Sequence, residues 1–122
     1  MEERRKHPVW KICIEKPFRN CRRIFPIQQK KVKKIIQCLE DNDNVLRIIV
    51  FGSSVTTLCH IDSDVDLYVE LEHEQGHLIR EPMDFVFDLW TNYTVDERML
   101  KEIRKKGVVV YEKDDKKIRE EH

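Results

Sequence analysis

Apolar residues recur at helical spacing early in the chain and give way to short apolar runs further on. Pro26 suits the first position of a helix, and the residues after it form an amphipathic pattern with lysines on the polar side. The apolar positions of this pattern are Ile27, Val32, Ile35, Ile36 and Leu39. The Asx-rich segment 41–44 is a turn signal, so we predict that the helix ends there.

Several later segments have the composition of strands. Residues 46–51 form a run rich in Ile and Val, which is typical of a buried strand. Residues 64–71 place Asp and Glu on one face and aliphatic residues on the other. Residues 83–90 and 108–111 are predicted as further strands, and residues 9–14 alternate well enough to predict a short one.

A second helix is predicted between the last two of these strands. Thr94 and Glu97 have the spacing of a capping box, and Gly107 suits the end of the helix. The elements together predict an α/β fold, a small mixed β-sheet with helices packed on it. The chain has 122 residues and no repeat or long linker, so we predict one domain, 1–122, whose ends 1–8 and 113–122 are flexible.

Composition narrows the classes of function. The formal net charge is zero although 38% of residues are charged, so we expect neither direct nucleic-acid binding nor attraction to an anionic membrane. A basic run near the N-terminus predicts a solvated helix face, with a rim for phosphates or an acidic partner as the alternative. The cysteines at 13, 21, 38 and 59 include no C-x-x-C pair, which disfavours zinc. We see no secretory signal or membrane span and expect a cytoplasmic protein with free thiols.

Two carboxylates stand one residue apart at the start of the predicted strand 64–71. Asp64 and Asp66 would point to the same face, and such paired oxygen donors suit Mg²⁺. Gly52 and Ser53 follow the preceding strand, and a short helix is predicted over 53–58. Gly52 would let backbone approach a phosphate, Ser53 would bond to it, and the helix would offer N–H groups; Ser54 is either a further contact or a second cap residue.

The order Gly-Ser, ten residues, Asp-x-Asp and a third acid in a later strand resembles the polymerase-β nucleotidyltransferase superfamily, in particular its minimal nucleotidyltransferase branch. The resemblance covers residues 45–111 and implies that the third acid begins a strand. We predict Asp84 in this role, since it begins the segment 83–90. Asp88 is the rival, because it shares a strand face with Asp84. The implied cofactor is Mg²⁺, as two ions that Mn²⁺ could replace, held by Asp64, Asp66 and Asp84.

The same resemblance implies transfer of AMP from ATP to a hydroxyl group. So short a chain lacks an acceptor domain, so we expect a partner protein, typically a helical HEPN-type toxin whose antitoxin this chain would be, or a second copy of the chain. A non-catalytic antitoxin that binds nucleotide is one alternative. A nucleotidyltransferase for a small antibiotic-like alcohol is the other.

Overall fold

A mixed β-sheet organises the chain in the computed structural model, which describes residues 8–114. Within these residues the strands are β1 (Val45–Phe51), β2 (Val65–Leu71), β3 (Phe87–Thr91) and β4 (Val108–Glu112). Their order across the sheet is β3-β2-β1-β4, with β1 antiparallel to both of its neighbours and β2 parallel to β3. The predicted fold class, a small mixed sheet with helices packed on it, is confirmed.

Among the described residues, two α-helices pack on opposite faces of the sheet. Helix α1 (Pro26–Leu39) packs its apolar side on one face, where it shares the main core with Ile48 and Val50 of β1. Helix α2 (Glu97–Lys106) covers the other face, where Ile103 contacts the cluster that contains Phe51 and Tyr68. Successive residues of a strand point to opposite faces, so the apolar run 48–51 of β1 contributes side chains to both cores.

Arginine and glutamate side chains join three strands at the end of the sheet where β1 begins. Arg47 of β1 bonds to Glu70 of β2 through Nη1 at 3.1 Å and to Glu112 of β4 through Nε at 2.8 Å. All three positions are paired in register. Arg19 also bonds to Glu112, through Nη1 at 3.0 Å, so two arginines balance two glutamates at this end.

Some predicted elements differ from the structure. Residues 9–14 form no strand; Cys13 N donates to the buried side chain of Gln29 at 2.7 Å instead of joining the sheet. Residues 53–58 form no α-helix, because the chain after β1 makes only a 3₁₀ turn, Gly52–Val55. The segment 83–86 precedes β3 and does not belong to it.

The cap of α2 is also different from the prediction. Asp96 is the N-cap residue, and its Oδ1 accepts from Met99 N at 2.8 Å. Thr94 instead accepts from Thr91 N at 2.9 Å and so shapes the turn that leaves β3. Gly107 does cap the C-terminus, as predicted. The predicted flexible ends, 1–8 and 113–122, lie almost wholly outside the described residues. In the described part of the chain, no helix has the length and apolar character needed to cross a membrane.

The backbone conformation of Gly107 does not require glycine, because any residue can adopt its φ of −68°. Glycine is required at this position because there is no room for a side chain. A Cβ atom at this position would lie 2.5 Å from Ile103 O and 2.6 Å from Ile49 Cγ2, closer than real contacts. We predict that Gly107→Ala lowers the free energy of unfolding by about 1–3 kcal/mol in urea denaturation. Gly76→Ala is the matched control, because nothing lies within 4 Å of the added atom. Equal effects of the two changes would contradict the packing argument.

Candidate active site

The turn that follows β1 depends on glycine. Gly52 has a φ of +76°, a left-handed conformation that side chains disfavour. A Cβ atom at this position would also collide with Oδ2 of Asp66. The Asp66 carboxylate therefore lies directly beside the turn that we predicted to bind a phosphate. The absence of a side chain at Gly52 allows the turn and the carboxylate to lie side by side.

Asp66 is the centre of an acidic cluster. It pairs in register with Phe51 of β1 on one side and with Asp88 of β3 on the other. Partial burial of its carboxylate, followed by the negative charges of Asp88, Asp64 and Glu102, raises the pKa of Asp66 from its ordinary value of 3.8 to about 6. Asp64 precedes β2 and is exposed, as is Asp88. The predicted pair Asp64 and Asp66 is thus brought together, with a third carboxylate from β3.

That third carboxylate belongs to Asp88, and the structure does not bring Asp84, the predicted third acid, to the pair. Pairing of β2 with β3 begins at Phe87, so Asp88 is the acid at the start of the strand. Asp84 lies before the strand, with its side chain 82% exposed and its Oδ1 3.7 Å from Nζ of Lys34. The physical reason is that Phe85 packs against the main core and below Lys31, which turns this segment toward α1.

The two serines of the turn have different surroundings. Ser53 is only partly buried, and its backbone oxygen accepts from Thr56 N at 3.0 Å, which closes the 3₁₀ turn. Ser54 is fully buried, and its Oγ accepts from Gln28 Nε2 at 3.1 Å. Ser53 therefore remains available to a ligand, whereas the side chain of Ser54 holds the turn in place. A turn of one 3₁₀ repeat also lacks the dipole of the helix that we predicted.

Two residues near the site were not predicted from the sequence. Glu102 reaches the acidic cluster from α2, and a single charge on a polar helix face gives no signal in a sequence. Gln28 reaches Ser54 from α1, and it did leave a signal. It lies four residues before Val32 on the apolar side of the helix, where a polar residue is unexpected.

The carboxylates offer an open set of oxygen ligands. Within residues 8–114, no three Cys, His, Asp or Glu side chains stand close enough together to hold a metal ion by themselves. Mg²⁺ is commonly bound by one or two carboxylates together with substrate phosphates and waters. The clustered negative charge on Asp66 and the glycine beside it fit a divalent cation that is shared with a phosphate group.

The raised pKa of Asp66 gives a prediction about stability. The folded chain holds this proton more tightly than the unfolded chain, so the group stabilises the fold below about pH 4 and this contribution is lost as the pH rises to about 6. We predict that the free energy of unfolding of Asp66→Asn at pH 7.5, measured by urea denaturation, is higher than that of the parent. The expected difference is about 1–2 kcal/mol after allowance for solvent screening. The difference should vanish near pH 4.

Asp84→Asn is the control for this measurement, since the Asp84 carboxylate is exposed and lies beside a lysine. It should change stability little at either pH. An Asp66→Asn protein no more stable than the parent at pH 7.5 would contradict the cost of ionising Asp66 that we assign to its burial and to the neighbouring carboxylates.

Comparison with known proteins agrees with this geometry. The family model described as "Polymerase beta, Nucleotidyltransferase" matches residues 33–116, more than half of the chain. The match includes the Gly52 turn and the acidic cluster on β2 and β3. A search of curated proteins finds no significant match. The chain therefore belongs to the polymerase β nucleotidyltransferase family and is, in general terms, a nucleotidyltransferase.

Proposed function

We propose that this chain transfers AMP from ATP to a hydroxyl group of a partner protein. Membership of the family supports nucleotidyl transfer in general. The observation that carries the proposal is the position of Asp66, which lies between the Gly52 turn and Asp88 at one end of the sheet. That the nucleotide is ATP and that the acceptor is a partner protein are both parts of the proposal.

Asp64, Asp66 and Asp88 are the proposed metal ligands, with Asp88 in the role predicted for Asp84 from the sequence. Mg²⁺, as one or two ions that Mn²⁺ can replace, would neutralise charge on the triphosphate and on the transferred phosphoryl group. The like charges that destabilise the ligand-free site make a bound cation favourable there.

The triphosphate is proposed to lie against the Gly52–Val55 turn. The hydroxyl group of Ser53 and the backbone N–H groups of the turn are the donors for its β- or γ-phosphate. Ser54 contributes through its buried bond to Gln28, which keeps the turn in one position. The glycine conformation at Gly52 brings this turn next to the Asp66 carboxylate.

The reaction is a single displacement at the α-phosphorus. The acceptor oxygen forms a bond to phosphorus, and the bond from phosphorus to the bridging oxygen of the β-phosphate breaks. Pyrophosphate leaves with that electron pair, and the proton of the hydroxyl group passes to the carboxylate of the cluster that faces the acceptor. The protein contributes by position and charge, as is usual in phosphoryl transfer.

Exposed apolar side chains beside the cluster support a protein as the acceptor. Leu58 and Ile61 are 79% and 76% exposed in the connection that leads to Asp64. Val86 is 63% exposed, and its backbone oxygen accepts from Val65 N at the start of β2. Apolar surface around a charged site is typical of a surface that binds another protein. The family resemblance of the sequence suggests a helical HEPN-type toxin as this partner, with the chain as its antitoxin in the cytoplasm.

The choice between Asp88 and Asp84 is testable with ligand alone. We predict that Mg²⁺ with a non-hydrolysable ATP analogue raises the melting temperature of the parent. The same rise is expected for Asp84→Asn, because this change removes no metal ligand from the cluster. Asp88→Asn and the double change Asp64→Asn, Asp66→Asn should lose that rise. Differential scanning fluorimetry measures it. A full rise in Asp88→Asn together with none in Asp84→Asn would return the third position to Asp84.

Transfer itself is tested with ATP labelled on the α-phosphate, Mg²⁺ and a candidate HEPN-type partner, followed by mass spectrometry of both proteins. We predict one AMP adduct on a hydroxyl side chain of the partner. The double change Leu58→Asp, Ile61→Asp should reduce the adduct at least tenfold and leave ATP-analogue binding intact.

Tyr93→Ser is the control for this surface, since Tyr93 is exposed beyond the other end of β3. It should transfer like the parent. A chain that binds the nucleotide and labels only itself would favour a second copy as acceptor. Nucleotide binding without transfer to any protein would overturn the proposed acceptor.

A further inference from the structure

Gln28 connects the two segments that form the candidate site. It lies in the first turn of α1 and is fully buried. Its Nε2 lies 3.1 Å from Ser54 Oγ, 3.2 Å from Ser63 O and 3.4 Å from Asp64 O. One amide group from the helix therefore contacts both the turn after β1 and the backbone of the first acid.

These two segments have little regular structure of their own. The turn is one 3₁₀ repeat, and residues 56–64 form no helix or strand. The start of α1 holds the turn a second time, because Phe25 N donates to Ser54 O at 2.8 Å. Helix α1 is itself fixed by fully buried side chains such as Val32 and Ile35. The rigid helix is thus the common reference for the turn and for Asp64.

The amide is not placed there for stability alone. The Oε1 atom of Gln28 is buried and has no hydrogen-bond partner within residues 8–114. A buried acceptor without a partner costs on the order of 1–3 kcal/mol. An apolar side chain would suit the apolar side of α1, so the amide at this position has another use.

We infer that Gln28 is a positioning residue, which fixes the backbone of Asp64 relative to the Gly52–Val55 turn. The inference rests on the proposed function, because it assumes that Asp64 holds a metal ion and that the turn holds a phosphate. Gln28 precedes the residues 33–116 that match the family model. Ordered partners behind metal ligands typically change metal affinity by about 10–100-fold when removed.

Gln29 provides a matched control on the same helix. It is also fully buried, but its Nε2 donates to Lys11 O at 2.9 Å and to Ile24 O at 3.0 Å. Its Oε1 accepts from Cys13 N at 2.7 Å. Gln29 therefore holds the segment before α1 and touches neither the turn nor the acidic cluster.

The experiment measures Mn²⁺ binding by electron paramagnetic resonance, with Mn²⁺ alone and with a non-hydrolysable ATP analogue, well below the melting temperature. We predict that Gln28→Met binds Mn²⁺ at least tenfold more weakly than the parent, whereas Gln29→Met stays within twofold. In an Asp64→Asn background, Gln28→Met should have no further effect on the binding of Mn²⁺ alone, because without the analogue its influence passes through Asp64.

Equal losses in Gln28→Met and Gln29→Met, or parent-like affinity in Gln28→Met, would overturn the inference. A further tenfold loss in the Asp64→Asn background, measured with Mn²⁺ alone, would also overturn it. If Gln28→Met does not fold, Ser54→Ala decides, since it removes one contact of the amide and should weaken Mn²⁺ binding in the presence of the analogue. An unchanged affinity in Ser54→Ala would then contradict the role. Absence of Mn²⁺ binding by the parent would instead overturn the proposed function on which the inference rests.

Discussion

The register of β2 within the sheet is the constraint on which the site depends. Val65, Leu67 and Val69 are fully buried on the side of α1, and burial of each side chain contributes roughly 1.5–3 kcal/mol. A slip of one residue would remove all three from the main core to the opposite face of the sheet and bury Asp66 in their place. That cost exceeds the repulsion among the carboxylates, so the core holds Asp66 between Phe51 and Asp88 although the cluster itself is unfavourable.

The sequence predicts the elements whose pattern is strong. The helix from Pro26 and the strand that begins at residue 64 appear within a few residues of their predicted bounds, because apolar periodicity reports burial directly. The pair Asp64 and Asp66 and the glycine at 52 follow from the same pattern, since their positions are fixed by the strands that flank them. The position of a residue could be predicted from local sequence wherever a single strand determined it.

Contacts between distant segments explain what the sequence could not predict. The segment 83–86 is apolar enough for a strand, but Phe85 packs on the core below Lys31 of α1, with 5.9 Å from the ammonium nitrogen to the ring centre. Strand pairing therefore starts later and selects Asp88 over Asp84. Ser54 likewise faces Gln28 and not solvent, which depends on where α1 crosses the sheet. Periodicity indicates that a residue is buried, but it does not indicate which residues its side chain packs against.

The two ends of the sheet differ in a way that indicates where a ligand belongs. At one end, Arg47 lies between two glutamates, Arg19 bonds to one of them, and the charges balance. At the other end, carboxylates from two strands cluster, a glycine adopts a left-handed conformation and a buried amide oxygen has no partner within residues 8–114. The crowded carboxylates and the unpartnered amide oxygen cost stability, and unfavourable features of this kind concentrate at functional sites. A cation and a phosphate group would relieve the charge, since the cation neutralises the carboxylates and the phosphate completes its coordination.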